Sequence, residues 1–256
     1  MIKKISDKEY FACDGVNASA LKYLDMSPAH YKAYIDKLNE EKNTESLRLG
    51  SQIHKYILED VDLNIKPNCD RRTKEGKELF KTFQDSIKYS TDYVSLDEYE
   101  KIKKMKEVVK DHPVAKILLD PVQNEKAAFV QCPQTGLKLK CKYDCLPNTG
   151  NCIFDLKTTD NADPFKLKYT INKYKYHIQA CHYLYVAELL NLNKDFFVFI
   201  FIEKDAPFAI SCVKIDKESI QFCMNQYYNL LEKLAKCKAN NDYSESYPNE
   251  IIDIIL

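Results

Sequence analysis

The sequence predicts an α/β domain with a mixed central sheet flanked by helices, on three observations. Residues 136–159 hold two runs of strict apolar–polar alternation around the turn formers Pro147, Asn148, Thr149 and Gly150, the pattern of a β-hairpin. Residues 196–203, FFVFIFIE, form a continuous apolar run of the kind that is buried on both faces of a sheet. Segments before, between and after these carry apolar residues three and four apart, as amphipathic helices do.

In chain order, residues 1–14 read as an edge strand or an irregular start. A helix is predicted from Asn17, with Asn17 or Ser19 as cap and Leu21 and Leu24 on one side. Ser27 and Pro28 open a second, through Leu38. A charged linker at 40–45 leads to a third helix at 47–58. There Leu47, Ile53, Ile57 and Leu58 share a buried side, Gly50 allows close packing, and His54 lies one turn beyond it. Residues 61–69 read as extended. A basic helix at 71–88 carries Leu79, Phe80, Phe83 and Ile87, and its Arg71, Arg72, Lys74 and Lys77 suit a solvated face or a DNA backbone. A helix at 95–110, capped by Ser95, ends at His112-Pro113, and 114–119 adds a short turn. A strand at 125–131 enters the hairpin. Beyond the hairpin, 160–164 is a loop and Pro164 opens a helix or turn. Residues 169–175 interleave aromatics with lysines, a composition that can stack a base and hold phosphates, or simply pack on the sheet. A helix spans 176–191, strands follow at 196–203 and 208–215, and an amphipathic helix at 217–237 buries Ile220, Cys223, Tyr227, Leu230, Leu231 and Leu234. The end is polar from Asn240 and apolar at 251–256, which suits docking on its own domain or on a partner.

Lysine plus arginine equals aspartate plus glutamate at 38 each, so no net charge draws nucleic acid from a distance and any such binding must be local. Lysines concentrate between 138 and 175, while 92–111 and 239–253 hold much of the acid. No apolar run approaches the ~20 residues of a membrane span and the start lacks a signal-peptide core, which predicts a cytoplasmic protein with no membrane partner. Ten cysteines without a CxxC pair or a zinc spacing are expected to be reduced, with Cys141 a small core residue. The length suits one domain over 1–256, with a mainly helical part at 1–120, the catalytic sheet and helices at 121–238 and a tail at 239–256.

Alternation along the hairpin sets Leu137, Leu139, Cys141 and Tyr143 on one face and Lys138, Lys140, Lys142 and Asp144 on the other. In the second strand Phe154 and Leu156 oppose Asp155 and Lys157, so the two polar rows meet if the hairpin closes. That meeting is either the wet face of a half-buried sheet or a site. As a site, Asp144 and Asp155 suit Mg²⁺, which takes one or two carboxylates and leaves its other positions to water and phosphate. Lys157 would then orient a water or offset charge on a phosphate under attack.

The chain also resembles the RecE-like (exonuclease VIII) exodeoxyribonuclease branch of the PD-(D/E)xK nuclease superfamily. The pieces that carry the resemblance are GVNASALK at 15–22, SPAHY at 27–31, LRLGSQIH at 47–54, LE at 58–59, RTKEGK at 72–77, TG at 135–136, Asp144, FDLKTT at 154–159 and YHIQACHY at 176–183. The resemblance implies a PD-(D/E)xK nuclease-like fold. It implies His54 as metal ligand or active-site contact beside Asp144 and Asp155, Glu125 as a third carboxylate, and the Leu156 carbonyl as a further ligand. It sets Gln179 and Tyr183, four apart on one helix, at the border of the catalytic centre. The implied activity is a Mg²⁺-dependent deoxyribonuclease, with Mn²⁺ as a substitute. In its 5′ to 3′ exonuclease form it works on double-stranded DNA ends and leaves 3′ single strands for recombination, as a homo-oligomeric ring alongside a single-strand annealing protein. An endonuclease or single-strand nuclease of the same superfamily, and a non-catalytic DNA-binding protein that keeps the fold, are the rival readings.

Overall fold

Phe196–Glu203 (β5) carries no polar side chain before its last residue, and both of its faces are covered. It belongs to a six-stranded sheet whose spatial order follows the chain: β1 (Ile2–Lys4), β2 (Asn124–Gln131), β3 (Lys138–Cys145), β4 (Cys152–Thr159), β5 and β6 (Ile210–Lys214). β4 and β5 are parallel and the other neighbours antiparallel, so the sheet is mixed. The structure is a computed structural model, and the residues it describes are 1–38, 44–87 and 92–247.

The helices are α1 (Asp7–Ala12), α2 (Ala18–Leu24), α3 (Pro28–Ile35), α4 (Glu45–His54), α5 (Lys74–Ser86), α6 (Leu96–Asp111), α7 (Pro164–Lys173), α8 (Tyr176–Leu189) and α9 (Lys217–Asn240). A side-chain oxygen of Asn17, Ser27, Thr44, Thr73, Ser95 or Asp216 caps the helix that follows each, satisfying amide groups that have no partner inside the helix. α7 and α8 form the crossover that two parallel strands require.

The pleat divides the core. Ile153, Phe197, Phe199 and Phe201, with Leu139, Cys141 and Tyr143 of β3, pack under α8, α9 and α2. Leu156, Val198, Ile200 and Ile202 point the other way, onto Ile53 of α4, Ile57 and Leu58, and Ile102, Met105 and Val109 of α6. The Asp-x-Lys strand β4 thus lies between two helical layers. Among the described residues no helix is long and apolar enough to cross a membrane, and all ten cysteines are free thiols.

Four local expectations change. The helix expected over 47–58 is α-helical only to His54 and continues as a π-helical turn, Lys55–Glu59. Leu47 is 64 % exposed and Leu79 51 %, because both lie away from the sheet while Ile53 and Phe80 take the buried positions. Gly50 is not needed for close packing, since a Cβ there would meet Thr158 Oγ1 at an ordinary 3.7 Å. Finally, the two polar rows do not meet as one wet face: Leu139, Cys141 and Tyr143 pack on the same side as Ile153, so Asp155 and Lys157 alternate onto that side, while Phe154 and Leu156 pack on the other. Asp155 is buried, and so is Lys140, over which α1 folds so that its Nζ donates to the carbonyls of Tyr10 and Cys13 at 3.1 and 2.6 Å. The linker at 40–43, residue 88 and the apolar end at 251–256 lie outside the described residues.

Gly76 is the glycine that the fold does require. A Cβ there would sit 2.0 Å from the Asp70 carbonyl oxygen, where the loop turns into the Thr73 cap of α5. Gly76→Ala must push that loop aside, at about 1–3 kcal/mol for overpacking. At roughly 2–4 °C per kcal/mol for a chain of this size, its melting temperature falls by about 2–12 °C. Gly50→Ala gains helix propensity and leaves the melting temperature unchanged or raises it by a few degrees. Equal melting curves for the two variants would contradict this account.

Candidate active site

The two hairpin strands pair at Cys145 and Phe154 and part beyond that point, opening a gap beside Leu156. The Asp144 side chain fills the place of a strand partner: its Oδ2 accepts a hydrogen bond from the Leu156 amide at 2.8 Å. The N–H and C=O of one strand residue point the same way, so the Leu156 carbonyl faces the same gap, where the His54 ring is hydrogen-bonded to its backbone. His54 stands at the end of α4, with Nδ1 3.7 Å from Asp144 Oδ2.

Asp155 is 1 % exposed and fully partnered. Its Oδ1 accepts from Gln179 Nε2 of α8 at 2.6 Å, and its Oδ2 is ion-paired with Lys157. Burial pulls the Lys157 ammonium toward neutrality, but Asp155 and Asp144 outweigh it and raise its pKa. Glu125 comes from β2. The register passes from Asn124–Cys145 to Lys126–Tyr143, which sets Glu125 opposite Asp144. Its φ is +56°, the left-handed region that costs a branched or long residue roughly 1–2 kcal/mol, and such strain gathers at functional positions. Glu125 is ion-paired with Lys142.

Burial, and then the neighbouring Asp155, push the Asp144 carboxyl up to about 7. Burial and Asp144 do the same to Glu125, also to about 7, against the pull of Lys142. Burial and Lys157 lower the His54 pKa, which keeps its ring neutral. Burial raises Tyr183 well above the ordinary phenol, so its hydroxyl stays protonated. Its ring is held edge-on between Tyr143 and Phe197, with centroids at 5.3 and 5.6 Å.

These groups line one cavity of about 1010 Å³, walled by α1, α2, α4, α7 and α8. Every residue singled out from the sequence is at it: His54, Glu125, Asp144, Lys157, Gln179 and Tyr183 line it, Asp155 lies just behind, and the Leu156 backbone bridges Asp144 and His54. Lys22 and Lys142 were not singled out for the site. Burial, and next Lys157, lower the Lys22 pKa to about 8, and its Nζ sits 4.8 Å from the Tyr176 ring, which Lys157 approaches at 5.2 Å. The sequence signals were the lysine ending GVNASALK and the alternating row that contains Lys142. The alternating row already sets Lys142 on the Asp144 side, whereas the spacing of GVNASALK does not say that Lys22 reaches the carboxylates.

Among the described residues, no three His, Cys, Asp or Glu side chains converge as a ready metal cage. Asp155 and Glu125 are turned to ammonium groups, and Asp144 to an amide. The donor set nonetheless fits a hard divalent cation, because three crowded carboxylates share two ion-paired ammonium groups, Lys157 and Lys142, and two of the carboxyls are displaced toward the protonated form, so further positive charge would relieve them.

The sign of that displacement sets a pH dependence. Two carboxyls with pKa raised above the unfolded value favour the native state below about 4, and they lose that contribution as pH rises to about 7. A cation competes with the same protons, so its stabilisation grows across that window. Mg²⁺ is therefore expected to raise the melting temperature more at pH 8 than at pH 6, and much less in Asp144→Asn. Increments independent of both pH and Asp144 would rule out these carboxylates as the cation's ligands.

No curated protein matches the chain. Among solved structures it is similar to a crystal structure described as a "putative exonuclease" from Eubacterium rectale, with 13 % identity, 99 % of this chain and 96 % of that chain covered, and a TM-score of 0.62. At that identity the likeness speaks for the fold. The family described as PDDEXK-like domain of unknown function (DUF3799) matches residues 17–250, nearly the whole sequence, and the chain belongs to it.

Proposed function

We propose that the protein is a divalent-cation-dependent deoxyribonuclease, and within that class a 5′ to 3′ exonuclease on double-stranded DNA ends that leaves 3′ single strands. The observation that carries the nuclease reading is the convergence of Asp144, Asp155 and Glu125 with Lys157 at the floor of one deep cavity. Family membership supports it. The exonuclease form, its polarity, a ring-shaped homo-oligomer and an annealing partner rest on the order of the RecE-like pieces.

Asp144, Asp155, Glu125, His54 and the Leu156 carbonyl would hold Mg²⁺ or, in its place, Mn²⁺. Bound there, the cation supplies Lewis acidity, easing ionisation of the attacking water and neutralising charge on the phosphate. The protein supplies the rest. Gln179 fixes the Asp155 carboxylate in one orientation. The Lys157 ammonium, ion-paired with Asp155, would offset charge on a phosphate oxygen, and burial would strengthen that interaction. The Tyr183 hydroxyl, held protonated, is a donor to the same phosphate. Neutral His54 can take part as a ligand without repelling the cation.

The test is digestion, with Mg²⁺, of linear duplex labelled at either end and of closed circular duplex, beside Asp155→Ala. Wild type is expected to degrade linear DNA from the 5′ ends, spare circles and stop on chelation, while Asp155→Ala loses about 10²-fold or more of the rate. Cleavage of circles would favour an endonuclease, and preference for unpaired substrate a single-strand nuclease. Absence of cleavage by wild type, or full activity in Asp155→Ala, would overturn the assignment.

A further inference from the structure

The catalytic floor uses no side chain of α7, yet this helix holds part of the interleaved aromatic and lysine segment and forms one wall of the cavity. Leu167 and Ile171 are its buried stripe. Lys166, Thr170, Lys173 and, just beyond the helix, Tyr174 line the cavity. Phe165 and Tyr169, four apart and so on one face, flank that lining on the outside. Phe165 is 87 % exposed, Tyr169 70 % and Tyr174 51 %.

Single exposed aromatics are ordinary. Here two rings stand one turn apart on the outer face of α7, and just past the helix, in the cavity lining, Tyr174 stacks on Tyr176 with centroids 5.6 Å apart and planes 28° from parallel. Tyr176 carries the stack inward to Lys157. Lys168 Nζ lies 5.8 Å from the Tyr169 ring and Lys173 Nζ 5.3 Å from the Tyr174 ring. Among the described residues, Lys166, Lys168 and Lys173 form no ion pair. The acids nearest in sequence are occupied: Asp163 caps α7 through the Phe165 amide, and Asp160 pairs with Lys204.

We propose that α7 is a platform for single-stranded DNA at the cavity mouth. Bases stack on Phe165 and Tyr169 while Lys166, Lys168 and Lys173 hold the phosphates. Charge selects the occupant, since three lysines without acidic partners call for a polyanion. Flat exposed rings call for base faces, which a duplex hides along its length and an unpaired strand presents at every residue. The platform rests on the nuclease reading for its purpose, which would be to guide one strand between the mouth and the carboxylates.

The experiment is fluorescence anisotropy in chelator, where nothing is cut, with a labelled oligothymidylate, the same strand with abasic sites, and a duplex closed by hairpins at both ends. Phe165→Ala/Tyr169→Ala is expected to lose about tenfold or more in affinity for the oligothymidylate. It is expected to bind the abasic strand and the closed duplex as wild type does. Lys166→Gln/Lys173→Gln should bind all three more weakly and with a shallower salt dependence. Both pairs are surface positions, and unchanged melting curves check the fold. Unchanged affinity of the aromatic variant for the oligothymidylate, as when the rings serve a protein partner, would overturn the proposal. So would equal losses on all three ligands. The nuclease reading is judged separately by wild-type digestion: no cleavage with a tenfold binding loss removes that reading and keeps the platform, and cleavage with unchanged binding does the reverse.

Discussion

A carboxylate 1 % exposed inside a sheet is a liability of several kcal/mol unless its charge and its lone pairs are met, and the surroundings of Asp155 are arranged to meet them. Gln179 supplies an amide from α8 and Lys157 an ammonium from two residues along the same strand. Both partners depend on the crossover: α8 must lie across β4 at a fixed height for Gln179 to reach, and β5 must pair in parallel with β4 to hold the strand that bears the lysine. Removing either partner leaves a buried charge half-compensated, so stability and chemistry are tied together here.

The parting of β3 from β4 is the second determinant. A closed hairpin would have consumed the Leu156 backbone in the ladder. The opened one leaves that backbone to Asp144 and His54, both in the same gap. The gap admits a histidine from the opposite helical layer, so the cavity draws on both faces of the sheet. Its carboxylates repel one another, and the strained backbone of Glu125 adds a third to the cluster. The ammonium groups ion-paired within it, Lys157 and Lys142, are two against three carboxylates.

Elements were legible wherever a local rule acted. Asn17, Ser27 and Ser95 cap helices as their types predict, alternation located β3 and β4, and the run at 196–203 is the buried β5. Errors arose where burial depends on what folds over a surface. Lys140 and Asp155 alternate like solvent-facing residues, yet α1 covers the first and α8 the second. Leu47 shows the reverse, an apolar residue at helical spacing left 64 % exposed because the sheet lies on the other side of its helix. His54 looked ordinary by spacing, and only the resemblance drew it to the site. Lys22 carries no such signal, because proximity to a carboxylate more than a hundred residues away leaves no periodic mark.

By itself the sequence determined the identity and chain order of the strands and most helices, because pleat, helical turn and caps are set by neighbours within a few residues. Tertiary structure alone decided that the hairpin opens, that both of its faces are covered, and that Lys22 joins the carboxylates. Those outcomes depend on packing and on charge–charge distances across elements far apart in the chain, and such distances come into being only when the layers close.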